Sequence, residues 1–191
     1  MSAQFRNIGD ASIPLPEFIV LDASVILSTA PSIVTTSPRH EMARNFLSQR
    51  LLPAVRAGRV LAILPYIAYE ECLFKVCEAS IGTFARAGTP WHVFYKQSPS
   101  VIQQVLPALR ALDTYLRAFP LFIPEPEDTS TLPRGSSPSL RERLLHFVED
   151  FNVLPRDGSI IAEAERLGVN ALATIDRDWL RATGFTVFAP P

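Results

Sequence analysis

Asp22, Glu70, Asp157 and Asp176 are the residues whose types and order point to chemistry. Asp22 interrupts the apolar run "FIVLDASVIL", where a carboxylate is costly unless something pairs, solvates or coordinates it. Asp176 ends a second apolar run, "ALATI"; Asp157 opens an amphipathic helix, and Glu70 lies one turn into the helix after a third run. At one edge of a sheet these four would repel one another, with no comparable group of lysines or arginines between them, and so call for cations. Hard oxygen donors select Mg²⁺ or Mn²⁺ over zinc. Each acid also has a plain structural use: a helix cap for Asp157, a local turn for Asp22, a solvated helix face for Glu70 or Glu71. Asp178 reads either as a further metal ligand or as the cap of a short helix beginning at Trp179.

Periodicity predicts the elements that must position these groups. Residues 17–21 and 59–65 are short, continuously apolar runs of the kind buried on both faces of a parallel sheet, and "NALATID" and "GFTVFAP" supply two more strands. Ser37 and Pro38 start a helix with Met42, Phe46, Leu47, Leu51 and Val55 on one face, kinked at Pro53 and closed by Gly58. Residues 66–79 predict the helix that carries Glu70. Val101, Val105, Leu109, Leu112 and Leu116 mark a long helix that Pro107 should bend. Ser139 with Glu142 forms a capping box ahead of Leu140, Leu144, Phe147 and Phe151. From Asp157, Ile160, Ile161, Ala164 and Leu167 face inward, and Gly168 suits the left-handed end of that helix. Apolar strands alternating with amphipathic helices predict an α/β fold with a central, mostly parallel sheet, in which ligands bind beyond the carboxyl ends of the strands. Residues 1–16 read as a polar, loose extension, 17–191 as a single domain, and 125–139 as a surface loop rich in Pro, Ser and Thr.

With 191 residues, 48% of them hydrophobic, the chain has the size and apolar content of one domain. Its formal net charge of -1 creates no field for nucleic acid, so any such binding needs a local patch. Lys75 and Lys96 are the only lysines among 18 basic residues. Arginine forks suit phosphate, although an arginine-rich codon usage gives the same balance. Cys72 and Cys77 match no zinc or redox spacing and read as reduced thiols. No run reaches the roughly 18 apolar residues of a membrane span, and no apolar signal opens the chain, so a soluble, cytoplasmic protein is expected. His40, His92 and His146 show no ligand spacing. Trp91, Phe94 and Tyr95 in "PWHVFYK" read either as a base-stacking platform or, more commonly, as core or partner surface.

"FIVLDASVIL", "LPYIAYEECL" and "RDGSIIAEAERLG" running into "NALATIDRDW" together resemble the PIN-domain nuclease family, which includes the VapC-type toxins of toxin–antitoxin pairs. That family places an Asp, followed two residues later by Ser or Thr, at the end of the first strand. A Glu follows shortly after a proline, an Asp opens an alanine-lined helix, and a TxDxD segment comes last. Asp22 with Ser24, Glu70, Asp157, and Thr174 with Asp176 and Asp178 occupy those places in order. The choice of Glu70 over Glu71 rests on the count from Pro65, and one residue changes the helix face. Trp179 stands where the family usually has Phe, and the chain is longer than a typical VapC, with a lead before residue 18 and a long stretch over 82–139.

The resemblance implies a PIN-like three-layer fold and metal-dependent hydrolysis of phosphodiester bonds, most often in RNA. Asp22, Asp157, Asp176 and Asp178 would surround Mg²⁺ or Mn²⁺, with Glu70 completing the catalytic set. Ser24 and Thr174 would orient those groups from behind, or else bond local backbone. Arg156, Arg177 and Lys75 would reach RNA phosphates, or else pair with neighbouring acids. An antitoxin protein and a homodimer are the implied partners, and no membrane is. Among competing readings, a doubly wound nucleotide-binding enzyme needs a glycine-rich turn that "LDASVILS" lacks. An aspartyl phosphotransferase wants a second acid where Ser24 stands. A PIN-like module without activity, serving as a binding partner, is the remaining alternative.

Overall fold

Five short strands run parallel in one sheet: β1 (Gln4–Asn7), β2 (Phe18–Leu21), β3 (Leu61–Ile63), β4 (Ala171–Ala173) and β5 (Thr186–Ala189), in the order β1-β5-β4-β2-β3. The computed structural model describes residues 3–30, 37–124 and 140–191, apart from the side chains of 140–145 and 177. Every residue of β4 is buried, as are all but the first of β2 and β5, which explains why these runs carry no polar alternation. Helices flank the sheet, giving the α/β architecture expected from the pattern.

The helices are α1 (Ala23–Leu27), α2 (Pro38–Asn45), α3 (Leu52–Arg56), α4 (Tyr66–Phe84), α5 (Trp91–Gln97), α6 (Ile102–Ala118), α7 (Leu140–Phe151) and α8 (Pro155–Arg166). Ser37 caps α2 by accepting the Arg39 N–H. Between α2 and α3 the chain widens into a π-helical turn over Phe46–Leu51. Pro53 explains it, because a proline cannot donate to the carbonyl four residues back and its ring presses on that turn. Pro107 lies within α6 as expected. Gly168 ends α8 with φ +68°, a backbone that side-chain-bearing residues rarely adopt. The capping box at Ser139 and Glu142 and the loop 125–139 fall outside the described residues.

Residues 4–7 correct the expectation of a loose N-terminal lead. They form edge strand β1, paired with β5 in the register Gln4↔Thr186 to Asn7↔Ala189. The segment "QFRN" shows no apolar run because an edge strand is held through its backbone on one side and tolerates polar side chains. Ile8, just beyond, is fully buried, and Arg50 ties the lead down by donating to the carbonyls of Ile8 (3.1 Å) and Ile13 (2.7 Å). "PWHVFYK", for which no helix was expected, becomes α5. Both cysteines are free, and Cys72 is buried in α4. No helix among the described residues is long and apolar enough to cross a membrane.

Candidate active site

The chain runs from β2 outward to β3 on one side, while β4 leads to β5 on the other, so the carboxyl ends of β2 and β4 flank a topological switch point. Asp22 follows β2 directly, and its N–H donates to the Ala173 carbonyl at the end of β4 (3.0 Å). That bond holds the Asp22 and Thr174–Asp176 segments side by side.

Asp22 is only 6% exposed, and its carboxylate does not cap α1. Its Oδ2 instead accepts the hydroxyls of Ser24 and of the fully buried Thr174 (2.8 Å for Thr174). Those hydroxyls are fixed in turn: Ser24 Oγ accepts the Ile175 N–H (3.2 Å) and Thr174 Oγ1 the Asp176 N–H (3.0 Å). Two residues 150 positions apart thus orient one carboxylate; Thr174 bonds local backbone as well, whereas the backbone partner of Ser24 is the distant Ile175. Burial still raises the Asp22 pKa; the two hydroxyls oppose that rise and the Glu71 charge adds to it.

Around Asp22 opens a cavity of about 570 Å³ lined by Glu71, Asp157 and Asp176. Asp157 sits in the first turn of α8, whose N-cap is Leu154, so it is not the cap its position suggested. Its pKa is raised to about 6, first by burial and then by the charges of Asp22, Asp176 and Glu71. Asp176 is extended at the head of a 3-10 turn over Arg177–Arg181 and accepts the Asp178 N–H through Oδ1 (2.9 Å). No ion pair among the described residues reaches Asp22, Asp157 or Asp176.

Two expected residues are not brought to this cavity. Glu70 is exposed on α4, whereas Glu71 lines the cleft. A step of one residue rotates the side chain by about 100° around a helix of 3.6 residues per turn, so the count from Pro65 points to the solvent side and the next residue to the cavity. Asp178 is exposed and pairs with Arg181 (2.9 Å). It serves the 3-10 turn in place of the cleft.

The basic residues divide. Lys75 lines the cavity and pairs with Glu78 (3.0 Å), and Arg156 approaches Glu71 (3.9 Å). The Arg177 side chain lies outside the described set. Arg39 and His40, from the first turn of α2, complete the wall, and Trp179, 2% exposed, lies beneath. His40 Nδ1 is buried without a partner among the described residues, and burial, with Arg44 nearby, lowers its pKa. Neither Arg39 nor His40 carried a signal in the sequence, since neither lies in a motif or at a ligand spacing.

Among the described residues, no three His, Cys, Asp or Glu side chains stand close enough to make a ready-formed metal site. The donor chemistry nevertheless fits a hard divalent cation: oxygen donors, burial and then mutual repulsion that raise Asp157, and a buried Asp22 carboxylate that no ion pair among the described residues reaches.

Neither protein-family models nor curated proteins match the chain. Solved structures do. VapBC2 from Rickettsia felis, bound to a DNA fragment from its promoter, matches with TM-score 0.50 at 10% identity, covering 90% of this chain and 98% of that one. FitAcB from Neisseria gonorrhoeae gives TM-score 0.41 at 18% identity, covering 89% and 96%. FitAB bound to an IR36 DNA fragment gives 0.43 at 17%, covering 90% and 94%. The likeness to the Rickettsia protein shows the fold.

Proposed function

We propose that this protein is a metal-dependent endoribonuclease of the PIN type, a toxin of a toxin–antitoxin pair, working in the cytoplasm. The observation that carries the reading is the cavity at the sheet's switch point, which Asp22, Glu71, Asp157 and Asp176 line and where no ion pair among the described residues reaches the three aspartates. These four would hold one or two Mg²⁺ or Mn²⁺ ions. A bound divalent cation supplies an activated water and neutralises charge on the scissile phosphate. Ser24 and Thr174 aim Asp22 by donating to it, and the same bonds oppose the burial that raises its pKa. Asp157, whose pKa is raised to about 6, would contribute its carboxylate to the same cavity. Arg39 and Lys75 on the cavity wall would position flanking phosphates.

The VapBC2 structure is a complex, and we extend that arrangement to this chain as a protein antitoxin partner, together with a homodimer. The deciding experiment compares the purified protein with Asp22→Asn on a mixed structured RNA pool, with Mn²⁺, with Mg²⁺ and with EDTA. Cleavage that requires metal and disappears in a folded variant is expected. Binding of RNA without cleavage under every condition would point instead to an inactive binding module.

A further inference from the structure

We infer that Phe74 and Arg156 form a base-stacking subsite at the mouth of the carboxylate cleft, taking the base of a nucleotide next to the scissile phosphate. This inference rests on the nuclease reading. On α4, Glu71, Lys75 and Glu78 line the cavity, and Phe74 stands at the margin of that stripe with 40% of its surface exposed. Arg156, on α8, holds its guanidinium 5.4 Å from the Phe74 ring centroid and approaches Glu71 at 3.9 Å, with its own side chain 44% exposed. The planar pair therefore begins beside one of the four carboxylates.

Phe74 is also braced. Trp91 meets it edge-on at 5.5 Å and 77°, and the Trp91 indole N–H donates to Glu78 (3.0 Å), whose other oxygen takes Lys75 (3.0 Å). An exposed aromatic held in this way loses little freedom when a base covers it. Bases present π-faces to aromatic rings and guanidinium planes, whereas phosphates seek the cations, and both kinds of group alternate here along one wall. A peptide's apolar side chain would use the ring alone, whereas a nucleotide uses the ring through its base and the neighbouring cations through its phosphate. A base inside a duplex has both faces covered by its neighbours, so the subsite selects unpaired nucleotides.

The test is binding of labelled 12-nucleotide single-stranded RNA, and of a hairpin of equal length, to the full chain carrying Asp22→Asn, over a range of salt. Adding Phe74→Ala should weaken single-strand binding at least about fivefold while leaving the salt slope unchanged, because stacking is lost and no phosphate contact is. Phe74→Trp should restore affinity and Phe74→Leu should not. Arg156→Ala should lower both affinity and slope. Single-strand affinity that survives Phe74→Ala, or rescue by Phe74→Leu equal to that by Phe74→Trp, would overturn the subsite and leave the nuclease reading standing. Failure of the parent protein to bind either RNA would overturn both. Phe74 is exposed enough for the variants to fold, which circular dichroism checks.

Discussion

Replacing Asp157 with Asn should stabilise the metal-free protein at neutral pH. The Asp157 pKa rises from 3.8 to about 6, chiefly through burial and then through Asp22, Asp176 and Glu71. An acid with a raised pKa binds its proton more tightly when folded, so its favourable contribution is complete below pH 3.8 and is lost as pH climbs through about 6. A shift of that size corresponds to about 3 kcal/mol at 1.36 kcal/mol per unit. Asp157 is only half-buried, and solvent screening reduces the usable part to about 1–2 kcal/mol. Against this, a carboxylate in the first turn of α8 gains about 0.3–1 kcal/mol from the helix dipole, which Asn forfeits. Burial and repulsion together win, leaving a net gain of about 1 kcal/mol above pH 7, or about 2–4 °C in Tm for a chain of this size. Thermal melts in EDTA from pH 4.5 to 8 measure it: the variant should melt above wild type at pH 7.5, converge with it near pH 4.5, and show a flatter profile between. Added Mn²⁺ should raise the wild-type Tm and leave the variant little changed. A variant that melts below wild type at pH 7.5 in EDTA would refute the claim that the carboxylates repel one another across the cleft.

Further outcomes follow from the same geometry. Glu71→Gln should cut metal-dependent cleavage by at least about tenfold, while Glu70→Gln, altering an exposed side chain, should leave it unchanged; equal effects would remove Glu71 from the site. Thr174→Val takes away a fully buried donor to Asp22 and the acceptor of the Asp176 N–H, so urea unfolding should show a loss of about 1–3 kcal/mol. A change within experimental error would mean that neither bond matters. Arg50→Ala should cost about 2–3 kcal/mol by freeing the carbonyls of Ile8 and Ile13, and amide exchange in β1 should accelerate more than in β4.

Much of the architecture was legible in the chain because local forces act at short range. Strands buried on both faces must be apolar throughout, which marked β2, β3, β4 and β5, and the helices α6 and α8 declared themselves by a repeat of 3.6 residues. Aspartates directly after β2 and β4 could be read as converging, since parallel strands bring their carboxyl ends to one edge. The tertiary structure decided what distance along the chain does not encode. An edge strand without an apolar pattern gained its place through backbone pairing and Arg50. Glu71 was selected over Glu70 by the rotation of α4 against its neighbours, and α5 formed where packing of Trp91 and Phe94 against α4 and α6 outweighed a weak local signal. Thr174 reached Asp22, and Arg156 reached Phe74, only because β4 lies against β2 and α8 against α4. Such pairings depend on which surfaces of distant segments fit, a property of the whole packed core that no single stretch of residues contains.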